Sequence, residues 1–259
     1  MNPTLKLIRQ RKSIRAYEDR LIEPEVRAAV LKAAMRAPTA GNMMLYSIIE
    51  VSDPEMKATL AKTCDNQPFI AKAPWVLLFL ADWQRWHDSL TAFDVPARCR
   101  TAGTPMRTPE EGDILLACCD ALISAQTAVL AAESLGLGSC YVGDIMENWE
   151  VHRDLFGLPK YAFPITLLCL GYPTQAQKDR ERRSRFEERF VVFKDRYRRL
   201  ERPDFEEMYR ETIENLVKDG QPIDSDAAFL WRVYQRKIGS AFMVEMTRSV
   251  RAAFNDFKA

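Results

Sequence analysis

ILLACCDALISAQTAVLAAESL, residues 114–135, is apolar on nearly every face of a helix, and this stretch decides how the rest of the chain is arranged. Gly136 follows it as a stop signal. Asp120 and Glu133 lie inside the stretch, and an acid at the centre of a bilayer costs about 2.5–3.5 kcal/mol. We therefore predict a soluble helix that lies in the core of a monomer or at a subunit interface.

Three segments around this helix have the length and composition of strands. Tyr46–Val51 reads as a strand, PWVLLFLAD (74–82) is a continuous apolar run, and FPITLLCLGYP (163–173) is a second one. Helices are predicted from Pro24, from Pro54 and around Trp149–Phe156. Because these elements do not alternate as strict βαβ units, the pattern favours an α+β domain with helices packed around a sheet.

The composition excludes several classes of protein. The chain has 259 residues with 37 basic and 36 acidic side chains, so no overall field attracts nucleic acid or an anionic membrane. Its six cysteines show no C-x-x-C spacing and it has only two histidines, which argues against a zinc site and a disulfide framework. The N-terminal residues lack the apolar core of a signal peptide, and free thiols suggest a cytoplasmic protein.

The composition changes after Pro173. Residues 174–202 contain eleven basic and six acidic side chains, and the simplest interpretation is a solvated, self-paired surface arm. Two helical patterns follow Pro203, and the second, Asp224–Phe257, is rich in aromatic residues. Such a helix has to bury its aromatic face, either on its own core or on a partner subunit.

The common catalytic motifs are missing from the sequence. It contains no G-x-G-x-x-G, G-x-x-x-x-G-K-[ST], H-E-x-x-H or G-x-S-x-G pattern. His87 and His152 lie in helical surroundings, which predicts structural or surface roles, and Cys118 and Cys119 are predicted to pack in the core. Hydrolytic and metal-dependent chemistry therefore lack the residues that they need, and we predict no metal site.

What remains is an ordered series of short polar motifs, each suited to binding an anion or a flat ring. The series is R-K-S-I-R (11–15), A-P-T-A-G-N (37–42), N-Q-P-F (66–69), L-G-L-G-S-C-Y-V-G-D-I (135–145) and L-G-Y-P (170–173), followed by K-D-R (178–180). With these motifs in this order, residues 5–200 resemble the nitroreductase family of flavin enzymes.

The resemblance implies a fold, an assembly and a cofactor. It implies an α+β fold in which a mostly antiparallel central sheet is flanked by helices, within an intertwined homodimer that holds FMN at its interface. It also implies two parts: residues 1–200 as the FMN-binding domain, and residues 201–259 as a C-terminal helical extension that packs on the partner subunit.

The same resemblance assigns roles to individual residues. At the phosphate and ribityl end of FMN it places four residues of the N-terminal segment: Arg11, Lys12, Ser13 and Arg15. It adds the cations Lys178 and Arg180 at the phosphate. It places Thr39, Ala40, Gly41 and Asn42 in a wall contributed by the other subunit. It places Gln67 at the pyrimidine edge, and Tyr141, Val142, Gly143 and Asp144 along the ring near N5, largely through backbone atoms.

One position departs from the family pattern. Where many relatives carry Gln-Pro-Trp after the asparagine, this chain has Met44-Leu45-Tyr46. Met44 therefore either offers the flavin or substrate an apolar thioether surface or, with Met43, fills a gap in the core. The difference bears on acceptor preference and leaves flavin binding expected.

The resemblance implies that NAD(P)H, with NADPH favoured, delivers hydride to flavin N5, and that a nitroaromatic, quinone or flavin acceptor takes it in a ping-pong cycle. No catalytic side chain is needed, since the flavin carries the chemistry. Two alternatives remain open: a sister chemistry such as reductive dehalogenation or flavin fragmentation, and a non-catalytic flavin- or RNA-binding protein. The expected partners are a second copy of the chain and a small-molecule acceptor, without nucleic acid or membrane.

Overall fold

A computed structural model describes residues 1–258 of the chain and contains one four-stranded sheet in that range. Its strands are β1 (Tyr46–Val51), β2 (Trp75–Asp82), β3 (Gly138–Val142) and β4 (Ala162–Gly171). They lie in the order β1-β2-β4-β3, and every neighbouring pair is antiparallel. The predicted antiparallel sheet and its three predicted strands are therefore confirmed, and β3 is a strand that the sequence analysis did not predict.

Twelve α-helices surround this sheet or follow it within the described residues. They are α1 (Pro3–Gln10), α2 (Pro24–Ala34), α3 (Pro54–Thr63), α4 (Phe69–Lys72), α5 (Gln84–Ala92), α6 (Val95–Thr101), α7 (Glu111–Ser134), α8 (Trp149–Phe156), α9 (Gln175–Asp179), α10 (Arg202–Lys218), α11 (Asp226–Val233) and α12 (Ala241–Lys258). Short 3₁₀ turns span Ala40–Asn42, Gly143–Met146 and Glu188–Phe190, and a π-helical turn spans Tyr234–Ile238.

The central strands have the burial that their composition predicts. Every residue of β2 is buried, because helices cover both faces of the sheet, and β4 is buried at all positions but one. On one face, Leu77 and Phe79 pack with the alanines of α7. On the other face, Leu78 and Leu80 belong to a cluster that also contains Trp149 and Phe257.

α7 has one side in the core and one side exposed. Alanines such as Ala121 and Ala125 are fully buried and let the helix approach β2 closely, while Leu115 is 66% exposed and Leu122 is 44% exposed on the opposite side. At the start of the helix, the side chain of Asp113 completes a capping box with Glu110. The core alternative of the sequence analysis thus holds for one side of α7.

α7 is also the one helix among residues 1–258 that is long and apolar enough to cross a membrane. Buried helices of globular domains pass the same test of length and composition, and α7 packs on α2 and β2 of its own chain. The observation is therefore weak evidence for a membrane span.

The chain divides into two compact units, one formed by Met1–Arg180 with the chain from Glu245 onward, and one formed by Glu181–Val244. In the first unit, Ala253 and Phe257 of α12 are buried in the core beside the sheet. These two units are defined by how the chain packs and not by what each part binds. The assignment of residues 1–200 to flavin binding, and of 201–259 to a partner contact, stays a prediction.

The second unit consists of helices with many exposed apolar side chains. Phe229 is buried within it, whereas Trp231 and Ile238 are exposed. The predicted continuous helix Asp224–Phe257 is wrong in one respect, since it is interrupted after the π-helical turn. Gly239 ends that turn, and a Cβ there would lie 2.8 Å from the ring of Tyr234, so the close packing requires a glycine.

Candidate functional site

The R-K-S-I-R segment lies along β3, which is an edge strand of the sheet. The backbone N–H of Ile14 donates to the carbonyl of Ser139 at 2.8 Å, and Ser13 and Ser139 form an isolated parallel bridge. Gly138 permits this contact, because a Cβ at that position would lie 2.5 Å from Cγ1 of Ile14. The buried Ile14 thus fixes the segment, and the flanking residues 11–13 and 15 are held beside β3.

Three predicted phosphate contacts converge near Cys140 of β3. Burial raises the pKa of the Cys140 thiol, and Arg15, Arg11 and Arg180 act against that rise because their positive charges lie close to it. A hydrogen bond with Ser13 acts in the same direction. The structure therefore brings together Arg11, Ser13, Arg15 and Arg180, although they are up to 169 positions apart in the sequence.

The two predicted lysines have structural partners. The ammonium of Lys12 donates to the carbonyls of Lys178 and Arg180 at 2.6 and 2.5 Å, and the guanidinium of Arg180 donates back to the carbonyl of Ser13. Lys178 pairs with Glu18 at 3.0 Å. These bonds fasten the chain after β4 to the N-terminal segment, so a phosphate contact from either lysine stays a prediction.

Arg11 differs from the lysines because part of its charge has no partner. Its Nη1 is buried and makes no hydrogen bond, while the charge of the guanidinium acts on Glu133 and Tyr141 nearby. Glu133 itself accepts a bond from the hydroxyl of Ser139 at 2.6 Å. A buried guanidinium N–H without an acceptor is costly, so this corner of the fold suits an anionic ligand.

The A-P-T-A-G-N motif forms a tight turn whose backbone is left-handed at several positions. Gly41, Asn42 and Met44 have φ values of 55°, 57° and 50°. Asp120 of α7, which is only 2% exposed, accepts the N–H of Ala40 at 3.0 Å and that of Leu45 at 3.2 Å. The buried carboxylate therefore holds both ends of the turn.

α5 secures the same turn from the other side. The indole N–H of Trp86 donates to the carbonyl of Met43 at 2.8 Å, and Arg85 donates to the carbonyl of Met44 at 3.1 Å. Thr39 accepts the N–H of Met44 through its hydroxyl at 3.2 Å. Met43 and Met44 are half-buried and pack against the two core clusters, which is the gap-filling role that one reading of these residues predicts.

Gln67 and Asp144 meet although they belong to different motifs. The amide nitrogen of Gln67 donates to Oδ2 of Asp144 at 2.8 Å and to the carbonyl of Cys64 at 3.1 Å. Both amide hydrogens are thereby used, and Oε1 remains as the hydrogen-bond acceptor of this side chain. Phe69 of the same motif lies 5.8 Å below the guanidinium of Arg15, which links the motif to the N-terminal segment.

The end of β3 presents backbone more than side chains. Val142 is buried in the core, Gly143 opens the 3₁₀ turn that carries Asp144, and the hydroxyl of Tyr141 donates to Gln126 at 3.3 Å. Burial raises the pKa of Tyr141, so its phenol stays neutral. This arrangement fits the prediction that the segment acts largely through backbone atoms.

The structure does not bring all predicted residues into one cluster. Within residues 1–258, no hydrogen bond or ring contact joins the Thr39–Met44 turn to the segment 11–15 or to Arg180. The predicted site thus consists of two separate parts of one chain. A wall that serves the flavin of the other subunit has this property, and that assignment stays a prediction.

His152 has a structural role, as predicted. It is fully buried, its two ring nitrogens bond to the carbonyl of Ile145 and the hydroxyl of Thr63 at 2.8 Å each, and burial lowers its pKa. Among the described residues, no group of three or more acidic, histidine or cysteine side chains is arranged to hold a metal ion.

Sequence reasoning missed the residues that position the site. Asp120, Arg85 and Trp86 hold the Ala40–Asn42 turn, and Glu147 lies buried beside Asp144. Asp120 had a visible signal, since it is an acid within an apolar helix, but the sequence does not show which backbone groups it binds.

Comparisons with known proteins show the family to which the chain belongs. The family model described as the nitroreductase family matches residues 8–172. The chain is 32% identical over 182 residues to the FMN reductase [NAD(P)H] of Bacillus subtilis (strain 168), covering 70% of each protein. It is 30% identical over 201 residues to the oxygen-insensitive NADPH nitroreductase of Salmonella typhimurium (strain LT2), covering 78% of this chain and 77% of that protein.

A solved structure extends the similarity to nearly the whole chain. NfrA2 of B. megaterium superimposes with a TM-score of 0.82 and 26% identity, covering 98% of both chains. The predicted α+β fold is therefore confirmed over 98% of the chain.

Proposed function

Because the chain belongs to the nitroreductase family, we propose that it is an FMN-dependent oxidoreductase that passes hydride from NAD(P)H to nitroaromatic, quinone or flavin acceptors. The names of the two relatives support FMN, NAD(P)H and a nitro compound as the reactants. The observation that carries the proposal is the convergence of Arg11, Arg15 and Arg180 beside β3, with the buried Nη1 of Arg11 lacking a partner.

The residues fit a phosphomonoester at this corner. Three guanidinium groups supply fixed forks of N–H donors, which match phosphate oxygens better than single ammonium groups do. Ser13 adds a hydroxyl beside Cys140. Lys12 contributes indirectly, since its bonds to the carbonyls of Lys178 and Arg180 hold Arg180 next to the N-terminal segment.

The remaining predicted contacts have the chemistry of a flavin ring. When bound, FMN supplies a ring nitrogen, N5, that accepts hydride from NAD(P)H and passes it on. In this chain, Oε1 of Gln67 is an acceptor for an imide N–H at the pyrimidine edge. Gly143 allows a planar ring to approach the backbone. In the dimer proposed below, the half-buried Met44 belongs to the turn that serves the other subunit's flavin, where it limits the access of water.

No side chain of the described site has the arrangement of a nucleophile and its base. Burial raises the pKa of Cys118 to about 12 and holds that of the fully buried Cys169 well above its usual range, so neither thiol is ionised at neutral pH. The protein therefore acts by binding, orienting and desolvating its reactants. This division of labour supports a cycle in which donor and acceptor use one site in turn, which is the ping-pong part of the proposal.

We also propose that the enzyme works as a homodimer. The exposed side of α7 carries Leu115, Leu116, Leu122 and Ile123, which form an apolar stripe along the helix. Exposed stripes of this length mark protein interfaces, and two copies of the chain would bury it symmetrically. In such a dimer the turn at 39–42 serves the flavin of the other subunit.

NADPH and a cytoplasmic location complete the proposal. NADPH is proposed as the donor in preference to NADH, in agreement with the name of the Salmonella relative. All six cysteines are free, which agrees with a reducing compartment. Residues 201–259 are proposed to contact the partner subunit, with the exposed Trp231 as a candidate anchor.

A ligand pair tests the phosphate contacts directly. Arg15→Ala should weaken FMN binding about 10- to 150-fold, the loss of one charge-assisted hydrogen bond of about 1.5–3 kcal/mol. Riboflavin has no phosphate, so its weaker binding should stay near that of the parent. Arg36→Ala, which removes an exposed arginine outside the proposed site, is the control and should change neither affinity.

Arg180→Ala should behave like Arg15→Ala and also loosen the N-terminal segment, because Arg180 bonds to Ser13. Fluorescence quenching of each flavin by the apoprotein measures all the constants. Equal losses for FMN and riboflavin would indicate a general structural effect, and unchanged FMN affinity in both variants would contradict the assigned site.

A further inference from the structure

Glu147 is a buried acid that the proposed function does not use. It follows the 3₁₀ turn Gly143–Met146, where its N–H donates to the carbonyl of Asp144 at 3.0 Å. The residue is only 5% exposed, and its Oε1 is buried without any hydrogen-bond partner. Its carboxyl group lies within hydrogen-bond reach of the Asp144 carboxyl, which also accepts the amide N–H of Gln67.

The charges around Glu147 come from three directions and all are acidic. Asp144 lies on the same turn, Asp65 comes from the link between α3 and α4, and Glu245 comes from α12. Burial is the largest influence, and these acids add to it, so that the pKa of Glu147 rises from its ordinary value of 4.5 to about 7. The leading influences on this pKa all raise it, and none of them comes from a cation.

The other titratable groups nearby are neutral or already paired. Burial raises the pKa of Cys64 and lowers that of His152, whose ring nitrogens are both hydrogen-bonded. On α12, the cation closest in sequence to Glu245 is Arg248. Its guanidinium pairs with Glu245 and Glu150 at 2.8 Å each. The charged groups that act most strongly on Glu147 are therefore acids.

Two carboxyl groups in contact cannot both ionise at low cost, so a pair of this kind holds one proton between them. In this pair, the protonated carboxyl group of Glu147 donates a hydrogen bond and the carboxylate of Asp144 accepts it. The second oxygen of Asp144 is then free to hold the Gln67 amide. Hydrogen bonds therefore connect Glu147 to Asp144, and Asp144 to the amide of Gln67, whose Oε1 remains available as an acceptor.

We propose that Glu147 is a positioning residue for the flavin edge: it shares one proton with Asp144, and this proton keeps Asp144 in the orientation that holds Gln67 as an acceptor. The inference rests on the proposed binding of FMN. It implies that the site selects a ring with an imide N–H. It also implies that loss of the proton places a second negative charge behind Gln67, which disfavours the more negative, reduced form of the flavin.

The apoprotein tests the shared proton without any flavin. An infrared titration should show the carbonyl stretch of a protonated carboxylic acid that disappears as the pH rises through about 7. Glu147→Gln should lack this band. Glu150→Gln is the matched control and should keep it, because its bond to Arg248 lowers the pKa of Glu150 to about 2 and leaves it ionised throughout.

The flavin-loaded protein tests the positioning role. In the parent, the midpoint potential of bound FMN should fall more steeply with pH above about 7 than below it, since ionised Glu147 then opposes reduction. Glu147→Gln should show no such change of slope, and its FMN affinity should stay within about threefold of the parent because an amide N–H still donates to Asp144. Glu147→Ala should weaken FMN binding about 2- to 13-fold, the loss of one hydrogen bond.

The two readouts separate this inference from the proposed function. A protein that binds FMN but shows no titrating infrared band, or the same pH slope in the parent and Glu147→Gln, overturns the role of Glu147 alone. A protein that shows the band but binds no FMN overturns the proposed function, and the role of Glu147 toward flavin falls with it.

Discussion

Arg11→Met should change stability and ligand affinity in opposite directions. The buried Nη1 of Arg11 has no acceptor in the ligand-free chain, and an unsatisfied buried donor costs about 1–3 kcal/mol. Methionine keeps an apolar stem in the same place without that donor. The substitution also removes the attraction to the partly buried Glu133, worth about 0.2–1 kcal/mol. The free energy of unfolding of the apoprotein should therefore rise by about 0–3 kcal/mol.

FMN binding should fall in the same variant. If Arg11 gives its free N–H to the phosphate, its loss removes a charge-assisted hydrogen bond of about 1.5–3 kcal/mol, or about 10- to 150-fold in affinity. Chemical denaturation of the apoprotein and fluorescence titration with FMN measure the two effects. Arg36→Met, which removes an exposed arginine elsewhere, should leave both values close to those of the parent.

The opposite signs make this test specific. A structural arginine would lower apoprotein stability when replaced and would affect FMN only through the fold. If Arg11→Met destabilises the apoprotein by more than about 1 kcal/mol and leaves FMN affinity unchanged, the unpartnered guanidinium is not an anion site and the reasoning from it is wrong.

Four other substitutions test separate parts of the account. Asp120→Asn should lower the free energy of unfolding by about 1.5–3 kcal/mol in urea, because an amide accepts only one of the two backbone N–H groups, and FMN affinity should fall with it. Glu147→Gln should gain stability relative to the parent as the pH rises from about 4.5 to 7 and no further above 7, because in that window the unfolded parent loses the Glu147 proton while the folded parent keeps it; a constant difference in melting temperature across this range would contradict the raised pKa. Leu122→Lys places a charge on the exposed side of α7 and should convert a dimer into monomers with weaker FMN binding, as seen by sedimentation at micromolar concentration; an unchanged dimer would exclude this face as the interface. Cys118→Ala should preserve NADPH-dependent turnover while lowering the melting temperature, and loss of turnover in a folded variant would reveal a thiol mechanism.

The fold was largely predictable because its core elements have strong local signals. β2 and β4 are uninterrupted apolar runs, and α7 is a long apolar helix with a stop glycine. β3 was not predicted as a strand, because it is only five residues long and begins with Gly-Ser, so that its strand-forming residues are limited to Tyr141 and Val142 at its end. Its pairing depends on β4 and on Ile14, which only the folded chain brings alongside.

The site was less predictable, because a sequence shows residue types but not their partners. Lys12 and Arg11 are equivalent cations in the sequence. In the structure, the ammonium of Lys12 donates to two backbone carbonyls, whereas Arg11 has a buried N–H donor without an acceptor. Likewise, Gln67 and Asp144 were assigned to separate edges of a flavin, and their mutual hydrogen bond appears only in three dimensions. Long-range polar contacts of this kind follow from packing and carry no local pattern.

The most direct test of the central claim is the absorption spectrum of the purified protein, followed by anaerobic addition of NADPH and then of a nitroaromatic or quinone. We expect a yellow protein with the flavin bands of FMN, bleached by NADPH faster than by NADH, whose colour returns stoichiometrically when the acceptor is added. A protein that stays colourless after incubation with FMN, or a bound FMN that neither nicotinamide bleaches, would contradict the assignment as an FMN-dependent oxidoreductase.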